Sequence, residues 1–303
     1  MNEQHAIKKN SLMSSGYHVG SRNRRTLNKI RVVGIVVFAA FILLPLAYVV
    51  LVSLTPDSEV GGGSILPSYI AWDNYAMMWN TIPLAKNILN SVIIAGGAGV
   101  FSTFVALGPA YLVARFRFSG RKSFMLSLIT MQTIPQVMML LPLFVIFIIV
   151  QNVLHIVLVG QYYTLIITYM TFALPFACWL LISYMANIPV ELEEAALIDG
   201  CSRWQVIYRI VMPLIMPGMV VTFVFSFLLG WSDVLFASVL TTPATQTVAV
   251  GLQSYLSSGD AGGTVYWGQL MAASLTSGVP VVVIFLFFQR YIVGGLANGA
   301  VKG

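Results

Sequence analysis

Charge is what this chain has least of. Of its 303 residues, 9% are charged and 58% are hydrophobic, whereas a soluble domain carries about 25% charged residues. Between Ser123 and Val190 there is no Lys, Arg, Asp or Glu. So little polar surface excludes an ordinary globule in water and makes the bilayer the solvent. Cysteine is also scarce. Cys178 and Cys201 are too few for a disulfide framework or a four-ligand zinc site, and no metal is expected. The pattern G-x-x-x-x-G-K-[ST] is missing, which excludes an ATP-cradling loop within this chain. A cleavable secretory leader is excluded as well. The first apolar run, Val32 to Pro56, is too long for a signal core and no small-residue cleavage site follows it.

What is present is long apolar runs. A spanning helix needs about 20 such residues. Val32–Pro56, Asn87–Ala114, Leu214–Val239 and Tyr266–Tyr291 each supply one span. The run from Ser123 to Val190 is long enough for two, with a break expected at Gln151–Tyr163, where Gln, Asn, His and Gly gather. The expected fold is an all-α integral membrane protein with six transmembrane helices and both termini on one side. Residues 1–30 read as a polar, disordered leader, and residues 31–303 as one membrane domain.

Orientation follows from the basic residues. With the N-terminus inside, every Lys and Arg except Lys86 falls in a cytoplasmic segment, as the positive-inside rule requires. External loops then fall near Pro56–Lys86, Gln151–Tyr163 and Leu240–Val265. The net charge of +6 is therefore a topology signal, and nucleic acid is not an expected partner.

Against this background "ELEEAALIDG", Glu191–Gly200, concentrates acids where they are otherwise rare. One charge at a bilayer centre costs about 3 kcal/mol, so the segment is a cytoplasmic loop between spans four and five. Pro189 and Val190 open a helix whose acidic first turn faces the positive end of the dipole. Gly200 closes it. Ser202 and Gln205 form a capping box that starts a second short helix, with Trp204, Ile207 and Val211 predicted on one face. Ala195 and Ala196 offer a small, flat surface to another protein. A connector lying on anionic lipid would not place acids first, because the surface potential repels them.

"EAALIDGCSRWQVIYRIVMP" resembles the signature of permease subunits of ATP-binding-cassette importers, carried here by Glu194, Ala195, Ala196, Gly200, Ile210 and Pro213, with Met212 where the family usually has leucine. "AWDNYAMMWN", "KNILNSVIIA", "VAVGLQSYL", "YWGQLMAAS" and "QRYIVGGLANGAVKG" are similar to the second permease subunit of maltose-type systems. The resemblance implies the type I importer fold in a bacterial or archaeal cell membrane, both termini cytoplasmic. It also implies the partners: a homologous second permease subunit, two ATPase subunits that bind ATP and Mg, an extracytoplasmic sugar-binding protein, and a sugar substrate in a lipid membrane. The chain itself would be no enzyme and hold no cofactor. Residues 189–213 would be the coupling helix, with Glu194, Ala195, Ala196, Asp199, Gly200, Arg203, Ile210 and Pro213 seated against an ATPase subunit. Asn298, Gly299 and Lys302 in a tail too polar to continue span six would touch the ATPases. Ser257, Ser258, Gly259 and Asp260 would reach the binding protein.

Polar groups inside spans line cavities or join helices. Gln132 and Gln136 beside Pro135, Trp179 near a Pro175 interruption, and Asp233 near the end of span five are candidate substrate contacts. "AGGAG", Ala95–Gly99, reads as close helix packing by small residues. An ion-gradient transporter would show paired charges at mid-membrane depth and an internal repeat; neither is evident. A regulatory membrane subunit is the other alternative.

Overall fold

The computed structural model describes residues 21–63, 66–257 and 265–300, with side chains from residue 28 to 291 within those ranges. Among them the regular structure is helical. The chain divides into two units, residues 1–51 and 52–303. Helix α1, Ser21–Ser53, accounts for the described part of the first. It starts ten residues inside the expected disordered leader, since no Gly or Pro lies between Ser21 and Gly34 to stop it.

The second unit contains α2 (Asp73–Thr81), α3 (Leu84–Arg115), α4 (Arg121–Thr133), a 3-10 turn at Gln136–Met139, α5 (Leu140–Leu154) and α6 (Tyr162–Met185). There follow α7 (Glu191–Ile198), α8 (Arg203–Val206), a π turn at Ile207–Val211, α9 (Met212–Ser232), α10 (Leu235–Leu240), α11 (Val248–Ser254) and α12 (Trp267–Ala300). Six stretches among the described residues are long and apolar enough to cross a membrane: 28–53, 84–115, 136–154, 162–185, 203–232 and 267–291.

The core of the second unit is α3 packed on α6 and α9. Close approach is built into "AGGAG". A Cβ at Gly97 would stand 2.8 Å from the Ile166 side chain, and one at Gly99 would stand 2.9 Å from Phe223. Ala95 and Ala98 are fully buried. Helix α2 is tied to the body by backbone-seeking side chains. Asn74 donates to the carbonyls of Ser53 and Thr55 at 3.0 and 2.9 Å. Asp57 accepts the Gly268 N–H at 2.6 Å and the Gln269 amide at 3.1 Å, which fastens the start of α12. Tyr255 donates to the Met78 carbonyl at 2.9 Å, and burial, with Asp57 nearby, pushes its phenol up to about 12.

Several expected boundaries move. Pro135 splits the third region, so α4 stands apart from the span at Gln136–Leu154; a proline that cannot donate to the turn before it ends α4. Pro175 does not interrupt α6, which runs unbroken from Tyr162 to Met185. The second helix of the acidic loop is not separate, because α8 continues through the π turn into α9. Pro213 lacks an N–H for the Arg209 carbonyl, and the preceding turn widens, with Met212 N–H reaching back to Ile207. The last span ends at Tyr291, before the tail, although α12 stays helical to Ala300, through Asn298 and Gly299.

Candidate functional site

The acidic loop folds as a helix, a left-handed turn and a second helix. The first turn of α7 carries Glu191, Glu193 and Glu194. Its end is a Schellman closure. Cys201 N–H donates to the Ala196 carbonyl at 3.0 Å and Gly200 N–H to Leu197 at 3.1 Å, with Gly200 at φ +88°. A Cβ added at Gly200 would meet nothing of this chain within 4 Å. The expected capping box is present: Ser202 N–H donates to Gln205 Oε1 at 2.7 Å, and Gln205 N–H to Ser202 Oγ at 3.3 Å.

The loop has an inner and an outer face. Ala196, Val206 and Val211 are buried in one cluster with Ala110 and Met185, and Ile210 packs against it. Glu191, Glu194, Ala195, Asp199, Gly200, Arg203 and Pro213 are exposed. The expected pair of small residues is therefore divided, since consecutive helix positions point about 100° apart. The predicted stripe of Trp204, Ile207 and Val211 is divided too: Trp204 is 77% exposed and Val211 is 1% exposed, because the π turn shifts the register between them. Ile198 is 86% exposed. Arg203 lies over the Phe116 ring, 5.8 Å from its centroid.

Glu193 is the exception among the acids. It is 5% exposed. Arg115 Nε, from the last turn of α3, donates to Glu193 Oε1 at 2.6 Å, and the Tyr111 hydroxyl donates to Oε2 at 2.9 Å. A second guanidinium nitrogen of Arg115 donates to the Ile188 carbonyl at 3.1 Å, just after α6. Nothing in the local sequence marks this contact, which joins residues 78 positions apart.

The second site lies within the spans. A cavity of about 310 Å³ is lined by Gln132, Gln136, Thr171, Phe172, Pro175 and Phe225, among others. A neighbouring cavity of about 370 Å³ shares Gln136, Phe172 and Leu229 with it and adds Tyr169, Ser232 and Asp233. Three of the four candidate substrate contacts thus converge. Trp179 does not: it lines neither cavity and is 46% exposed. Asp233 lies in the break after α9. Its Oδ2 accepts from the Tyr169 hydroxyl at 2.8 Å and from Ala237 N–H in α10 at 3.0 Å. A carboxylate that caps the next helix competes with continuation of the last.

Six apolar helices, a two-faced acidic loop and cavities that carry a few polar side chains can be set beside known proteins. Residues 98–297 match the family described as binding-protein-dependent transport system inner membrane component. The chain belongs to this family. The inner membrane ABC transporter permease protein YcjP of Escherichia coli is 34% identical over 290 residues, covering 93% of this chain and 99% of that one. The trehalose/maltose transport system permease protein MalG of Thermococcus litoralis is 30% identical over 275 residues, covering 90% and 96%. Among solved structures, a chain of a bacterial ABC transporter that imports the acidic polysaccharide alginate superposes with a TM-score of 0.75 at 20% identity, covering 90% of this permease and 99% of that chain.

The permease is thus a multi-pass inner-membrane component with the importer fold, and neither alternative, the ion-gradient carrier or the regulatory subunit, has support. Of the expected binding-protein contacts, Ser257 is exposed at the end of the turn after α11; Ser258, Gly259 and Asp260 lie outside the described residues. So do Lys302 and the side chains of Asn298 and Gly299.

Proposed function

We propose that this permease is the transmembrane subunit of a binding-protein-dependent importer that moves a di- or oligosaccharide into the cytoplasm. A homologous second permease subunit completes the pathway, two ATPase subunits bind ATP and Mg from below, and an extracytoplasmic binding protein delivers the sugar. The substrate class rests on the sugar transport named for relatives such as the trehalose/maltose permease MalG. The cavity side chains suit it. Gln132, Gln136, Ser232 and Asp233 offer hydrogen-bonding groups, and Phe172 and Phe225 offer apolar faces.

The single observation that carries the coupling role is the outer face of the loop. Ile198 and Trp204 stand 86% and 77% exposed on a segment too charged to enter the bilayer. They flank a glycine whose surroundings are open. Large apolar side chains displayed together outside the membrane mark a docking surface. Glu194, Ala195, Asp199, Arg203 and Pro213 are exposed and are assigned to the ATPase contact, and Ala196 and Ile210 to its support from within.

The test is uptake of labelled trehalose and maltose into vesicles holding the complete complex. Entry of either sugar should require both ATP and the binding protein. Uptake driven by a proton or sodium gradient without ATP would remove the proposal.

A further inference from the structure

Glu193 and Arg115 form the one ion pair among the described residues, and both side chains are 7% exposed. The pair does not join neighbours along the chain. It joins the first turn of α7 to the last turn of α3, 78 residues earlier. Arg115 also holds the Ile188 carbonyl, so one guanidinium grips the loop helix and the segment leaving α6 together. Tyr111, one helical turn before Arg115, holds the other oxygen of the same carboxylate. Two hydrogen bonds thus fix α7 to the end of α3, a third ties α3 to the segment that leaves α6, and α3 and α6 are the most extensively packed pair in the unit. Apolar packing could hold α7 in place equally well but would let it slide. A carboxylate held at both oxygens by an arginine and a phenol fixes position and direction.

We infer that Arg115 and Tyr111 are positioning residues for transport: through Glu193 they turn movement of the loop helix into movement of α3 and α6. The inference rests on the docking role proposed for the outer face of the same loop. Glu194 and its exposed neighbours receive the push, while Glu193, turned the other way, delivers it to the spans. The division explains why adjacent glutamates differ so sharply in burial.

The test uses the complete complex in vesicles, with its ATPase subunits, second permease and binding protein. Trehalose and maltose serve as probes, and sugar entering per ATP hydrolysed is the readout. The double variant Arg115→Met with Glu193→Leu removes both charges at once, so neither is left buried alone. It should assemble and hydrolyse ATP, but sugar moved per ATP should fall about tenfold, in the range of a typical coupling between sites. Arg115→Lys, which keeps the charge but loses the second grip on Ile188, should fall less. A merely structural role would lower assembly, hydrolysis and uptake together and leave their ratio unchanged. Should the double variant fail to assemble, Arg115→Lys decides, and an unaltered ratio there overturns the inference. Gly200→Asp is measured in parallel. If it uncouples while the ion-pair variants do not, only this inference fails; if it couples normally, the docking role itself fails.

Discussion

Glu193 and Asp233 are both acids turned inward, and they are held in opposite ways. Glu193 meets a cation, Arg115, and a hydroxyl, Tyr111. Asp233 meets a hydroxyl, Tyr169, and a backbone N–H, with no ion pair among the described residues. The first charge is neutralised within the chain and faces packed side chains of the loop. The second lies on the wall of a cavity lined also by Gln136 and Ser232. A neutralised, doubly gripped acid is suited to hold position. An acid without a cationic partner beside open space is suited to meet a ligand, and intramembrane acids generally face such cavities. Their environments, not their residue types, set the two acids apart.

The sharpest way to break the comparison is to remove one partner from each site. Glu193→Ala leaves Arg115 buried without its counter-charge, a change that costs about 3–5 kcal/mol. The complex should lose thermal stability and dissociate on size-exclusion chromatography after mild heating. Asp233→Asn should behave differently, because a neutral amide can still accept from Tyr169. Its stability cost should be about 1 kcal/mol, while trehalose or maltose uptake falls. Equal stability losses in the two variants would erase the distinction.

A smaller effect is expected at Gly200. Its φ of +88° costs other residues about 1 kcal/mol, and no atom of this chain obstructs a side chain there. Gly200→Ala should therefore lower the melting temperature of the complex only slightly. Gly200→Asp, a residue that tolerates the left-handed region better than most, should leave the permease inserted and paired yet abolish uptake. Glu194→Lys should do the same more mildly, as charges at an interface rim do. Two smaller contrasts complete the series. The Tyr255 phenol is raised from 10.0 to about 12 in the fold. It therefore contributes stability that is fully present below pH 10 and lost as pH rises through about 12. Tyr255→Phe should remove that alkaline step from the thermal stability profile. Trp179→Phe should change neither stability nor uptake measurably, because Trp179 lines neither cavity.

Much of this was legible in the sequence. Apolar runs and the placement of basic residues gave the six spans. The closure at Gly200 and the Ser202–Gln205 box followed from spacing, because both are local and need only neighbouring residues. What escaped was set by contacts distant in sequence. Nothing in "ELEEAALIDG" distinguishes Glu193 from Glu194; the difference lies in Arg115, 78 positions earlier. The one available signal was that Arg115 follows directly on the charge-free run Asn87–Ala114. The same logic picked Gln132, Gln136 and Asp233, which line the two cavities, and Trp179, which lines neither. Polar groups in a span must face a partner or a cavity, so Gln132, Gln136 and Asp233 were informative, whereas an aromatic ring is equally at home facing apolar surroundings. The π turn was hidden as well, since Pro213 signals a disturbed helix but not whether it breaks or widens.

The central claim is that the outer face of the 191–213 loop receives an ATPase subunit while its inner face holds the spans. Photo-cross-linking from position 198 tests it most directly, with Ile198 replaced by benzoylphenylalanine in the assembled complex. The account predicts an adduct with the ATPase subunit, greatly reduced when Gly200→Asp is added. Adducts with lipid alone, or an unchanged ATPase adduct in the presence of Gly200→Asp, would contradict it.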